Sequence, residues 1–223
     1  MKNNIATAPK QGKNKGRLFR ILPLSTLFGI LLLLFGAGSL GYEYGPLLVA
    51  ETRYTIKQSA PAPVQQLFFN EVTAQKALEP VDSEFGIMIP KIEANAPIVA
   101  EVDPYDSNIY QRELARGVAH AKGTGLPGEN KTMFLFAHAS GDITMARRYN
   151  SIFYLLNKME PSDEITIYYR GAPHKYQVTQ VKTVNPDAVD YLENNSDADL
   201  ILMTCTPPGT TWKRLLVLAN RVN

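Results

Sequence analysis

One cysteine, one tryptophan and three histidines are all that the 223 residues contain of those types, and each scarcity removes a class of protein. A single cysteine cannot form an intramolecular disulfide, and with only three histidines beside it a structural zinc site is disfavoured. Dense acidic clusters are missing, which predicts no calcium requirement; no metal and no cofactor is expected. Residues 1–20 hold no acid, and no charge of either sign stands between Arg20 and Glu43. Glycine and proline, 15 of each, recur without a period, so collagen-like and low-complexity architectures are excluded. There is no internal repeat and no βα alternation, which disfavours a parallel-sheet α/β fold.

What is present bounds the answer further. The length suits one domain plus an appendage. With 45% hydrophobic and 20% charged residues, the chain is neither disordered nor a multi-span membrane protein. The formal charge of +2 is unevenly placed: six basic side chains lie in residues 1–20, leaving 17 basic and 21 acidic groups in the remainder, a net of −4. A basic tail on a mildly acidic body argues against a nucleic-acid-binding domain.

Residues 21–42 are 22 uncharged positions with the apolar run LFGILLLLFGAGSL at 27–40. At about 1.5 Å per residue a helix of that length spans the roughly 30 Å hydrocarbon layer, so a bilayer is an expected partner. The basic flank (residues 1–20) places the N-terminus in the cytoplasm and the rest of the chain outside. Gly36, Ala37, Gly38 and Ser39 offer the alternative of a cleaved secretory signal, but the run is longer than a signal core, and an uncleaved anchor is favoured. Residues 43–83 lack a clean period and carry Pro61, Pro63 and Pro80; they read as an extracytoplasmic stalk.

From Glu84 the pattern changes to short β runs parted by turn residues. The expected strands are 85–90, 95–102, 117–121, 132–138, 164–170, 175–184, 200–205 and 214–222, with helix-compatible residues at 106–116. Ile143 to Met159 reads as the best helix, with Ile152, Leu155, Leu156 and Met159 on one stripe. Seven or eight strands in about 140 residues predict a closed or nearly closed β-barrel over 84–223.

Cys205 ends an apolar strand and precedes Thr-Pro-Pro-Gly, so its sulfur is held rigidly yet faces a loop. An unpaired thiol outside the cytoplasm is exposed to oxidation, and its presence points to use as a nucleophile. With a pKa near 8.5 it is only a few per cent thiolate at neutral pH and needs a base. His138 closes the apolar run TMFLFAH and is placed at a barrel rim; His120 in GVAHAKGT and His174 in the turn GAPHK are the other candidates. If the strands ending at Cys205 and beginning at Arg214 pair antiparallel, those two residues face each other, and a guanidinium can donate to the oxygen that becomes negative when sulfur attacks a carbonyl.

The segment LILMTCTPPGTTWKRLLVLANRV, with Thr204 before Cys205 and then Arg214 leading an apolar strand, resembles the signature of the sortases, membrane-anchored cysteine transpeptidases. FLFAHAS and the upstream turn GTGLPGEN resemble the same family, as does the order anchor, spacer, barrel. The likeness covers residues 84–222. It implies an eight-stranded sortase barrel with Cys205 as nucleophile, His138 as general acid/base and Arg214 as stabiliser of the oxyanion or aligner of the peptide. It further implies cleavage of an LPXTG-like sorting motif after Thr, a thioacyl intermediate, and transfer to an amine of a cell-wall precursor or a pilin lysine. The peptide is expected to lie near Thr204 and the connection 185–199, where Val189, Tyr191 and Leu192 are the candidate groove residues.

The Cys-to-Arg loop resembles those of classes C, D and E. The triplet Asp103-Pro104-Tyr105 lies after the second strand and reads as a barrel loop, and the chain ends at Asn223 directly after the last strand. Both features favour wall anchoring, or an uncharacterised subclass, over pilin polymerisation. An L,D-transpeptidase is disfavoured because Met203 and Thr204 precede the cysteine in place of Ser-His-Gly, and a papain-like enzyme because His precedes Cys in the chain. A membrane-tethered peptide-binding barrel without activity is the non-enzymatic alternative.

Overall fold

The computed structural model describes residues 23–59, 61, 79–139, 152–187, 191 and 198–222. Two compact units divide at Leu40, residues 1–40 and 41–223. In the first, Pro23 opens helix α1 (Leu24–Ser59), its carbonyl accepting from the Thr26 and Leu27 amides. A proline at this point loses nothing, because the first turn's amides have no intrahelical acceptor. Leu24–Tyr42 has a mean hydropathy of 1.9 and is long and apolar enough to cross a bilayer.

In the second unit α1 continues through residues that show no apolar period in the sequence, up to Ser59. Ala50 and Tyr54 pack against the barrel core. Glu51 pairs with Lys158 at 2.7 Å, and Arg53 and Lys57 both approach Glu93 at 3.6 Å. Exposed ion pairs contribute about 1 kcal/mol or less each, so the apolar contacts carry most of this docking.

Eight strands close the barrel: β1 (Phe85–Ile89), β2 (Ala94–Val102), β3 (Val118–Ala121), β4 (Met133–Phe136), β5 (Glu164–Tyr169), β6 (Ala172–Val184), β7 (Leu200–Thr206) and β8 (Lys213–Arg221). Their order around the barrel is β1-β2-β3-β4-β7-β8-β6-β5. β2 with β3 and β4 with β7 are parallel; the other pairs are antiparallel. Barrels of this strand number have interiors just wide enough for side chains to fill, and Ile87, Ile89, Leu135, Ile165, Ile167 and Leu200 are fully buried. The parallel crossover from β2 to β3 uses α2 (Ser107–Leu114), which Asp106 caps by accepting from the Asn108 and Ile109 amides at 3.0 and 3.2 Å.

All eight expected strands are present. The helix expected over Ile143–Met159 is not found where it can be described: residues 152–155 form turns and Leu156–Lys158 a single 3-10 turn. Residues 143–151 lie outside the described residues. The stripe is nonetheless largely buried, with Leu156 and Met159 at 0% and 3% exposure, but so is Phe153, off the stripe, at 0%. Burial on more than one side suits tight turns pressed against a core, and a helical period in the sequence does not distinguish the two.

Candidate active site

Strand register builds the site. Cys205 on β7 stands opposite Arg214 on β8, and Arg214 stands opposite Val184 on β6. On the other side of β7, Phe136 of β4 pairs with Met203. Carrying that parallel register two residues further brings His138 beside Cys205, and the two-residue period of a strand keeps both on one face. The Ala137 amide donates to the Met203 carbonyl at 3.2 Å, so the pairing continues past the end of β4. Val184, Arg214 and Cys205 thus form one row across β6, β8 and β7, roughly 10 Å from end to end at the usual strand spacing, and His138 follows the end of β4 on the Cys205 side.

All four border one cleft of about 280 Å³. Its apolar lining includes Phe134, Phe136 and Leu216, with Tyr110 edge-on to Phe136 at 6.2 Å between ring centres. The Cys205 side chain is half-buried, reachable from the cleft yet largely screened from water. The Arg214 guanidinium donates to the carbonyls of Thr211 and Lys213 at 3.2 and 3.3 Å, which fixes it to its own loop beside the sulfur. Burial pushes the His138 imidazole below its ordinary 6.5, which favours the neutral ring. A neutral imidazole can take a proton from a thiol, and a guanidinium one strand away can hold a developing oxyanion.

Thr204 borders the cleft but is 3% exposed, and its hydroxyl donates to the Ala137 carbonyl at 2.8 Å. That bond ties the residue before Cys205 to the residue before His138. Tyr191 borders the cleft, with the Lys182 ammonium 4.4 Å from its ring centre. Val189 and Leu192 lie outside the described residues.

The other two histidines are placed elsewhere. His120 on β3 pairs with Leu135, on the face opposite to Phe136, and is completely buried. Its Nε2 is 3.0 Å from both the Gly125 carbonyl and the Thr124 hydroxyl, and its Nδ1 accepts from the Glu101 amide at 3.4 Å. Since the Thr124 hydroxyl already donates to the Ala121 carbonyl, Nε2 carries the proton. Burial holds this ring's pKa below 6.5 against the raising effect of the Gly125 bond. His174 is in strand β6, not a turn, paired with Ile167 at the end of β6 remote from Val184.

Sequence reading missed the wall formed by Pro104, Tyr105, Tyr110 and Gln111, which line the same cleft as Cys205. The available signal was the four-residue spacing of Tyr110 and Leu114 in a mostly polar helix. Among the described residues no three His, Cys, Asp or Glu side chains cluster as a metal site would need.

A family model described as the sortase domain matches residues 87–222. No curated protein matches the chain. Among solved structures, sortase C-1 from Actinomyces oris is similar at 30% identity and a TM-score of 0.53, over 73% of this chain and 81% of that one. The pilus-related sortase C of Group B Streptococcus is similar at 28% identity and 0.51, over 70% and 74%. Sortase A from Corynebacterium diphtheriae is similar at 27% identity and 0.51, over 73% and 70%.

Proposed function

The chain belongs to the sortase family, and from that premise we propose that it cleaves an LPXTG-like sorting motif and transfers the acyl fragment to an amine of a cell-wall precursor. The observation that supports the reading is that Cys205, His138 and Arg214 line one cleft, with Cys205 opposite Arg214 in register. Sγ of Cys205 attacks the threonine carbonyl carbon while the neutral His138 ring takes the thiol proton. Arg214 donates to the carbonyl oxygen as it becomes negative. The C–N bond then breaks, and the His138 imidazolium gives its proton to the departing amine nitrogen. The thioester keeps the acyl group activated, so an incoming amine re-forms an amide without ATP, its proton passing to His138 and Sγ leaving.

We assign residues 84–223 to the catalytic domain, 43–83 to an extracytoplasmic spacer, 21–42 to the anchor and 1–20 to a cytoplasmic tail. The basic tail supports an inside N-terminus. A lysine of a pilin-like protein as acceptor is the second reading, favoured by the likeness to a sortase named as pilus-related.

Incubation of the chain with an LPXTG peptide and either a stem-peptide amine or a lysine-containing peptide tests both. Transfer product with wild type and none with Cys205→Ala supports the enzyme, and the amine that reacts faster names the acceptor. Peptide bound but uncleaved by wild type identifies a binding barrel and overturns the proposal.

A further inference from the structure

One wall of the cleft comes from neither the catalytic strands nor the β6–β7 connection. Pro104 and Tyr105, between β2 and α2, border the cleft that holds Cys205. Tyr105 is 65% exposed, a large ring in a position that contributes little to the core. Its backbone is nevertheless fixed on both sides. The Tyr105 amide donates to Asp103 Oδ1 at 2.9 Å, Pro104 has its φ locked by the ring, and the next residue, Asp106, caps α2. Just upstream the β2–β3 register shifts between Val99 and Val102, and Glu101 takes a positive φ of 57°. Such bulges re-aim the chain beside active sites.

An exposed tyrosine on a clamped backbone contacts a ligand at low entropic cost, because its backbone is already ordered. The lining of the cleft defines what that ligand is. Tyr105, Tyr110 and Tyr191 contribute three tyrosine rings, and among the described residues no Asp, Glu or Lys lines the cleft, so the positive charge there is Arg214 beside the sulfur. A tyrosine-rich surface without charge away from the reacting end suits an extended, neutral, proline-containing segment, whose ring packs on aromatic faces and whose backbone is already ordered.

We propose that Tyr105 is a specificity-determining residue whose ring packs on the proline of the sorting motif, upstream of the scissile bond. This rests on the sortase reading for the identity of the peptide.

The test uses the full chain in detergent, with Cys205→Ala so that binding is read without turnover. Calorimetry compares an LPXTG peptide with its LAXTG analogue on this protein and on versions also carrying Tyr105→Ala or Tyr105→Phe. The proline peptide is expected to bind about tenfold more weakly after Tyr105→Ala, the scale of one aromatic packing contact, and normally after Tyr105→Phe. Replacing proline by alanine is expected to cost about the same tenfold with Tyr105 present and little without it. In the cysteine-containing chain, Tyr105→Ala is expected to raise KM and leave kcat unchanged. A proline-to-alanine penalty equal in both backgrounds, or no peptide binding at all, overturns the assignment. Absent transfer by wild type would instead overturn the sortase reading, so the two failures are told apart.

Discussion

At the scale of single residues the site depends on groups that cannot be exchanged for near relatives. Arg214 is held by two carbonyls of its own loop and still faces the sulfur's strand, which requires a fork of several donors. Arg214→Lys is therefore expected to lower the acylation rate by about 10²- to 10³-fold, the usual effect of losing an oxyanion donor, with folding intact by circular dichroism. An acylation rate near that of wild type would remove Arg214 from the mechanism. His138→Ala is expected to cost about 10²- to 10⁴-fold in acylation, whereas the buried His120 affects stability. The folded state holds His120 below 6.5, so between that value and the folded pKa the unfolded chain binds more protons. Its contribution to stability is whole above about pH 6.5 and is lost as pH falls through the folded pKa; His138 and His174 shift the same way. Thermal melting between pH 7.5 and 5.5 should show a falling Tm, with a shallower slope in His120→Gln, whose amide can still donate to Gly125. An unchanged slope in that variant would assign the acid sensitivity to other groups.

At the scale of elements, the parallel pair β4–β7 brings together residues 67 positions apart in the chain, and the Thr204 hydroxyl fastens its end. Thr204→Val leaves the buried Ala137 carbonyl without its donor, at a cost of about 1–3 kcal/mol. It should also lower kcat more than it raises KM, since His138 follows Ala137 directly; a loss confined to stability would deny it the positioning role. The hairpin that sets Cys205 against Arg214 was legible in the sequence, because two apolar runs parted by a Pro-Gly loop have few other ways to pair. His138 was legible as the end of an apolar run. The parallel register that places it beside the sulfur was not, since nothing local in either strand names its distant neighbour. His120 resembled His138 in sequence, and only its position on the opposite face of β3 separates them. The Ile143–Met159 expectation failed over its described part because helix-like spacing also serves tight turns buried against a core. Tyr105 went unassigned because exposure beside a cleft leaves no periodic mark.

At the scale of the whole molecule, α1 does more than supply an apolar span. Residues 47–57 lie within the second unit, where Ala50 and Tyr54 pack against its core and Glu51 and Arg53 pair with Lys158 and Glu93. A chain beginning at residue 84 should therefore melt about 4–8 °C below one beginning at residue 43, from about 2 kcal/mol of lost apolar burial. Its rate of peptide acylation should be unchanged, because among the described residues none that lines the cleft belongs to α1. Equal melting temperatures would reduce α1 beyond Tyr42 to a passive spacer. The central claim is that sulfur, imidazole and guanidinium act on the same amide. Intact-protein mass spectrometry after mixing with an LPXTG peptide, before any amine is added, measures this most directly. The account predicts a thioacyl adduct on Cys205 that forms in wild type, falls by orders of magnitude in His138→Ala and Arg214→Lys, and is released as an amide when amine is supplied. Adduct formation at full rate without His138 or Arg214, or no adduct in wild type, would contradict it.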